Sequence, residues 1–219
     1  MGSPTSLVMD AKTGVPSGVA FELGQALAKQ LNVSVQIVQF ARVAEVIDAL
    51  KVGQIDMTFT NATVARAKEV DFTPALIQLE LGVLVPLNSP IQSFEDLNRT
   101  SVRLGVSQGS SSQSALGQRL ENSQIVSVQS LTKVPEMLAT HQLDAFATNK
   151  GILFELAENM HGVKVLSGRW GVENLAIAIP KGRDVGMPYL LAFTKQVLEA
   201  GQVNEMAKRA GLRGMVQVN

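Results

Sequence analysis

Residues 46–61 read VIDALKVGQIDMTFTN, and residues 134–149 read VPEMLATHQLDAFATN. The two segments align without a gap at an offset of 88. Six of the sixteen pairs are identical, and both segments close on Thr-Asn (Thr60–Asn61 and Thr148–Asn149). Each reads as an amphipathic helix followed by a β-rich run. A chain that writes one helix–strand unit twice predicts two similar lobes. A length of 219 residues accommodates one large domain or two small ones.

The rest of the chain extends the pattern. Strand-like runs are read at 33–40, 55–61, 81–86, 102–107, 124–129, 143–149, 163–168 and 174–180, with helical stretches between them. In VAFELGQALAKQL (19–31), the helical period turns Phe21, Leu23, Ala26, Leu27 and Leu31 towards one side. The alternation predicts an α/β fold with parallel-rich sheets, in which ligands bind at the carboxyl ends of strands. PLNSPIQSFEDLNRT (86–100) reads as a boundary, with Ser93 opening a helix and Asp96 at capping-box spacing. SGRWGVENLAIAIPKGRD (167–184) reads as a second boundary. The predicted organisation is therefore lobe one from 1–85 and 180–219, and lobe two from 86–179 including the crossings. Two crossings make a hinge, and a hinge between α/β lobes makes a cleft.

Composition narrows the function. The chain is 46% hydrophobic and 17% charged, so it can bury a core. Its formal net charge is zero with no long basic run, which argues against nucleic-acid binding driven by phosphate neutralisation. It has no cysteine, which removes disulfides and thiol catalysis. With only His141 and His161, no histidine-based metal site is expected. Neither the dinucleotide nor the lysine-bearing phosphate-loop fingerprint is present, and no cofactor is expected. No apolar run reaches the roughly 18–20 residues a membrane helix needs, so no membrane insertion is expected. MGSPTSLVMD shows neither a basic region nor an apolar stretch, so no signal peptide is read there.

Three constellations carry polar chemistry. In TVARAKEVDFTP (63–74), Thr63 is an N-cap and Arg66 follows three residues later. A cation in a first helical turn opposes the helix dipole. Arg66 either takes a ligand carboxylate or phosphonate in bidentate fashion, or pairs on the surface with Glu69 or Asp71. In GVSQGSSSQSAL (105–116), a strand ends at Ser107, Gly109 turns the chain, and Ser110, Ser111 and Ser112 open a helix. Such a start binds anions through its N–H groups, or is ordinary serine capping. The Thr-Asn ends, Thr60–Asn61 and Thr148–Asn149, offer uncharged donors and acceptors at strand exits, or are simply residues that suit such exits. Arg42, which follows Phe40 just after the strand-like run 33–40, is a second cation at the cleft mouth or is simply solvated. Trp170 covers a ligand or packs the hinge. His141, which replaces Gly53 in the repeat, reads as a loop residue. No Ser-His-Asp or paired-carboxylate arrangement is recognisable, and Glu173 is the nearest candidate for an acid or base.

The succession GVPSGVAFELGQALAKQL, VIDALKVGQIDMTFTN, ARAKEVDFTP, SFEDL and VRLGVSQGSSS resembles the type II periplasmic solute-binding proteins of ABC importers, in the amino-acid-binding family 3 branch. The resemblance implies a two-lobed Venus-flytrap fold and no enzymatic activity. It also implies that Arg66, in the R-x-x-x-V-D-F-[ST] motif, binds the ligand's α-carboxylate, and that Gly109, Ser110 and Ser111 contact it too. This chain departs from the pattern in three ways. Asn149 stands where the family usually places an Asp for the α-ammonium. The Ala41–Ala44 region replaces the usual stacking aromatic, for which Phe40 is the stand-in. The chain also starts after the family's first strand, and GMVQVN (214–219) has the strand character to fill that gap in its own subunit or a neighbour's.

The expected function is binding of a small anionic solute, an amino acid or related carboxylate, for ABC import. The partners would be an ABC permease or a sensor kinase, and the location periplasmic or extracytoplasmic. A monomer is expected, with a strand-swapped dimer as the alternative. The same fold also serves prephenate-like dehydratases and the ligand-sensing effector domains of regulators.

Overall fold

The computed structural model describes residues 3–9, 13–40, 43–183 and 185–216. The elements, in chain order, begin with β1 (Val8–Met9), β2 (Pro16–Ser17), α1 (Val19–Leu31), α2 (Val43–Lys51), β3 (Thr58–Asn61), α3 (Val64–Ala67), β4 (Val70–Phe72) and β5 (Ile77–Pro86). They continue with β6 (Arg103–Ser107), α4 (Ser111–Arg119), β7 (Gln124–Val128), α5 (Val134–Ala139), β8 (Ala145–Asn149) and α6 (Lys150–Glu158). The last are β9 (Val163–Val165), β10 (Gly171–Pro180), α7 (Met187–Glu199) and α8 (Gln202–Arg209).

The chain forms two compact units. One comprises Leu79–Glu173 with a short stretch ending at Glu45; the other comprises the segments ending at Phe40 and Gln78 and the segment from Asn174 onward. The divisions fall inside β5 and inside β10, earlier than the positions 85/86 and 179/180 expected from the sequence. Pro86 and Pro180 end these strands, and each strand runs through its division without a break.

In the unit of Leu79–Glu173, β6 lies parallel to both β7 and β8, while β8 and β9 run antiparallel to β5. Burial follows the two-residue period of a pleated strand. Along β5, Val83 and Val85 join Leu97, Leu104, Val106 and Leu116, while Leu84 joins Leu143, Phe146, Leu153 and Leu156. Gly105 is required by a close approach: a Cβ there would lie 2.6 Å from Leu143 Cδ1 and 3.0 Å from Phe146 Cδ2. Trp170 packs within this unit. Its ring stacks on Phe94 with centroids 6.1 Å apart, and its Nε1–H donates to the Gly82 carbonyl at 3.0 Å.

In the second unit, β3 and β4 both run antiparallel to β10. In this unit the described pairs are thus antiparallel, where parallel-rich sheets were expected. Local β–α alternation predicts the strands that follow one another in the chain. It does not reveal that the returning strand β10 is the one they pair with. Leu50, Val70 and Ala178 form a core here, with Ile55 and Phe72 against it. Helix α1 spans the residues expected, and it buries Val19, Leu23, Leu27 and Ala28, with Leu31 48% exposed.

Two further expectations are corrected. Residues 33–40 form no strand and are mostly exposed, with Val33 60%, Ile37 45% and Val38 41% accessible. β-propensity describes fit to a pleated neighbour, and this segment pairs with none of the described strands. The helix expected from Ser93 is a single tight turn, Glu95–Leu97. Its capping carboxylate does form, since Asp96 Oδ2 accepts from the backbone N–H of Ser93 at 3.1 Å and of Gln92 at 3.0 Å. At the C-terminus, Val216 N–H donates to the Gln78 carbonyl at the start of β5 at 2.9 Å, and residues 217–219 of the segment expected to fill the first-strand gap lie outside the described ones.

The repeat is exact at its turns. Gly53 N–H donates to Leu50 O at 3.1 Å and Gln54 N–H to Ala49 O at 2.9 Å; His141 N–H donates to Leu138 O at 3.3 Å and Gln142 N–H to Met137 O at 2.8 Å. Both turn residues are left-handed, with φ 73° at Gly53 and 54° at His141. This paired bonding closes a helix C-terminus in the same way twice.

Candidate functional site

The polar residues singled out in the sequence fall into two groups, one in each unit. In the second unit, β3 ends at Asn61, and Thr63 caps the one-turn helix α3 by accepting from Arg66 N–H at 3.2 Å. The cap turns the Arg66 side chain back over the strand end. There its Nη1 donates to Thr60 Oγ1 at 2.8 Å and to the Asn61 carbonyl at 3.2 Å. The surface pairing considered for Arg66 has other owners, because Glu69 lies 3.2 Å from Lys51 and Asp71 lies 3.5 Å from Lys181. Arg66 is half-buried. Asn61 is buried, and its Oδ1 accepts from Asn174 N–H on β10 at 2.9 Å. Phe40 is half-buried at the end of the exposed 33–40 segment, and Arg42 lies outside the described residues.

In the unit of Leu79–Glu173, β6 ends at Ser107, whose carbonyl accepts from Ser110 N–H at 3.1 Å. Ser110 caps α4 by accepting from Gln113 N–H at 3.1 Å, and Gln113 Oε1 accepts from Gly109 N–H at 2.7 Å. Ordinary capping therefore describes Ser110 well. Ser112 is buried, and its hydroxyl has no partner among the described residues. Thr148 and Asn149 are buried at the end of β8. Asn149 caps α6, with Oδ1 accepting from Ile152 N–H at 3.1 Å. Its Nδ2 donates to Glu173 Oε2 at 3.0 Å, and Ser111 Oγ donates to Glu173 Oε1 at 3.4 Å. Both polar ends of the Asn149 amide are thus used within the protein.

Glu173, read in the sequence only as the nearest candidate for an acid or base, joins this group through Asn149 and Ser111. It is 9% exposed on β10 and lies 24 positions from Asn149, so only the sheet brings the two together. Its signal in the sequence is an acid inside GVENLAIAIP, a run that otherwise reads as buried strand. Lys150, next to Asn149, pairs with Glu80 at 2.6 Å with 12% of its side chain exposed, and Arg169 lies 3.5 Å from the same carboxylate. Among the described residues no cluster of His, Cys, Asp and Glu could hold a metal ion. No helix among them is long and apolar enough to cross a membrane.

One unit thus carries a cation anchored at a strand end, and the other carries a buried carboxylate held by two helix starts. The ABC transporter glutamine-binding protein GlnH of Bacillus subtilis (strain 168) is 25% identical over 201 residues, covering 90% of this chain and 73% of the relative. The crystal structure of the ancestral amino acid-binding protein AncCDT-1, a precursor of cyclohexadienyl dehydratase, superposes with a TM-score of 0.83 at 26% identity, covering 95% of this chain and 90% of that one. A histidine kinase sensor domain with similarity to periplasmic binding proteins shares the fold, with a TM-score of 0.83 at 20% identity over 99% of this chain and 94% of that one. The family model of bacterial extracellular solute-binding proteins, family 3, matches residues 2–212. The chain belongs to the bacterial extracellular solute-binding proteins of family 3.

Proposed function

We propose that the protein binds a small amino acid or related carboxylate outside the cytoplasm and delivers it to an ABC permease. The observation that carries this reading is Arg66. Its guanidinium is fixed by Thr60 and Asn61 at a strand end, and its own helix cap sets its direction. A fixed planar fork of donors suits a carboxylate better than a flexible ammonium would. Thr60 and Asn61 hold Arg66 in place, and the proposed set also includes Ser107, Ser110, Ser111, Thr148 and Asn149. Phe40 and Arg42 belong to the same proposed set.

The test is a thermal-shift screen of the twenty common amino acids and of matching acids lacking the amine. Bound ligand raises stability by RT ln(1+[L]/Kd). For each hit, Arg66→Ala is expected to weaken binding about 100-fold, equivalent to ~2.7 kcal/mol for a charge-assisted contact, with little change in the melting temperature of the free protein. Unchanged affinity in that variant would refute the reading.

A second reading has one observation in its favour. A buried acid beside a serine hydroxyl has the makings of a general acid, and one structural relative is described as the precursor of a dehydratase. Turnover of prephenate-like acids by the unaltered protein, lost in Glu173→Gln, would establish it.

A further inference from the structure

We propose that Gln78 and Asn174 are positioning residues for Arg66, acting through the peptide group that joins Asn61 to Ala62. This deepens the binding function proposed above and rests on it. A peptide unit is planar and rigid, so its C=O and the N–H of the next residue turn together. The Asn61 carbonyl accepts from Arg66 Nη1 at 3.2 Å, and the Ala62 N–H of the same peptide donates to the Asn174 carbonyl at 2.8 Å. By holding the N–H end, Asn174 also aims the carbonyl that anchors the guanidinium. It grips the strand end a second time, since its own N–H donates to Asn61 Oδ1 at 2.9 Å.

Asn174 is in turn held from the side. Its Oδ1 accepts from Gln78 Nε2 at 2.8 Å, across 96 positions of the chain. Gln78 is exposed on β5 between the buried Ile77 and Leu79, and its carbonyl accepts from Val216 N–H at 2.9 Å. The chain of this unit breaks off at Gln78 and resumes at Asn174, so the amide pair ties the last residue before that gap to the first residue after it. Every member of the series, from Val216 through Gln78, Asn174 and Asn61 to Arg66, belongs to the one unit. A bond between two neutral amides in contact with solvent adds little to stability. Its effect here is on direction. A guanidinium takes a carboxylate through a planar fork, and such bonds weaken as their angles are lost.

The experiment uses the full chain and first reads Arg66 with no ligand added. Heteronuclear NMR of the side-chain nitrogens measures how fast the two Nη groups of an arginine exchange places, which is slow when the guanidinium is held. The Arg66 signals are assigned by their loss in Arg66→Lys. Gln78→Met and Asn174→Ala should each speed this exchange about fivefold, while the melting midpoint of Gln78→Met moves by no more than about 2 °C. The double variant should add nothing to either change, because both remove the same bond. Gln78→Lys, which returns a donor of similar reach, should slow the exchange again. Affinities for L-glutamine and L-arginine are then measured by calorimetry. Gln78→Met should weaken whichever is bound about fivefold, and should have no further effect when added to Arg66→Ala. An exchange rate unchanged in Gln78→Met overturns the assignment, and this exposed position keeps the test open if Asn174→Ala does not fold. A loss of affinity that persists in the Arg66→Ala background overturns it too, since the effect then bypasses Arg66. Faster exchange with unchanged affinity overturns its link to binding. If neither amino acid is bound, the exchange rate alone decides the positioning of Arg66. If none of the common amino acids or their amine-free counterparts binds, the binding function fails separately.

Discussion

The two Thr-Asn ends share a sequence and a place at the end of a strand, yet they are wired differently. Asn61 sits opposite Leu175 in an antiparallel pair, and Asn149 sits opposite Leu81 in another. After Asn149 a helix begins at once, so its oxygen becomes the cap of α6 and its nitrogen holds Glu173. After Asn61 the helix begins only at Val64, so Thr63 takes the capping role. Asn61 bonds the neighbouring strand instead. Those extra residues also bring Arg66 back over the strand end. Glu173 and Asn174 are successive residues of β10, and each is held by the asparagine of its own unit. The repeat supplies a frame; the length of the turn after it determines which charge the frame carries.

The comparison predicts unequal losses. Asn149→Ala removes a helix cap, typically about 0.5–2 kcal/mol, and a donor to a buried carboxylate, typically about 1.5–3 kcal/mol. The two are coupled through one amide, so a loss of about 3 kcal/mol in urea unfolding is expected. Asn61→Ala removes one neutral bond to a backbone N–H and should cost about 1–2 kcal/mol. Equal costs would mean that the two asparagines do the same work after all.

Much of this was legible in the sequence and some was not, for identifiable reasons. The repeat, the helix at 19–31 and the Thr63 cap are local patterns, and they appear where the sequence puts them. Residues 33–40 carry the right residue types for a strand, but a strand also needs a partner, which residue types do not specify. Glu173 reads only as the nearest candidate for an acid or base, with no partner named, until the return of β10 sets it beside Asn149 and Ser111. The antiparallel pairing of β3 was hidden for the same reason, since the pairing strand lies more than a hundred residues away.

A smaller contrast lies at the aspartates of the repeat. Asp144 accepts three bonds from Arg103: from the backbone N–H at 2.8 Å, from Nε at 2.9 Å and from Nη2 at 2.8 Å. These bonds, the guanidinium's first among them, hold its carboxyl below the usual carboxylate range. Its counterpart Asp56 pairs with Arg183 at 2.6 Å, but its side chain is 88% exposed. Asp144→Asn should cost about 1–2 kcal/mol at pH 7, and Asp56→Asn about 0.5 kcal/mol or less. Because the folded value of Asp144 is depressed, its contribution is complete above the unfolded value near ~3.9 and is lost as pH falls through the folded value. Melting curves of Asp144→Asn and the unaltered protein should therefore differ at pH 7 and converge in strong acid. A difference that persists there would assign the effect to packing.

The smallest expected effect tests the repeat at its turns. Gly53 and His141 occupy the same left-handed position after matched helices, and only one of them is glycine. For a residue with a Cβ the left-handed region costs roughly 1–2 kcal/mol. Glycine avoids that cost but leaves the unfolded chain freer, which offsets about 0.4–1 kcal/mol of the gain. His141→Gly should therefore stabilise the protein by about 0.5 kcal/mol, read as a higher urea midpoint at an unchanged slope. Gly53→Ala should destabilise it by a similar amount, although the nearest atom to an added Cβ, Arg183 Nη2 at 3.5 Å, leaves room for it. The opposite signs are the informative part. Steric crowding cannot produce them, because the added methyl meets only ordinary contact. A common backbone conformation at both positions does produce them. If His141→Gly instead destabilises, the imidazole contributes something to its turn that the glycine of the first copy never had, and the two helix ends are equivalent in shape alone.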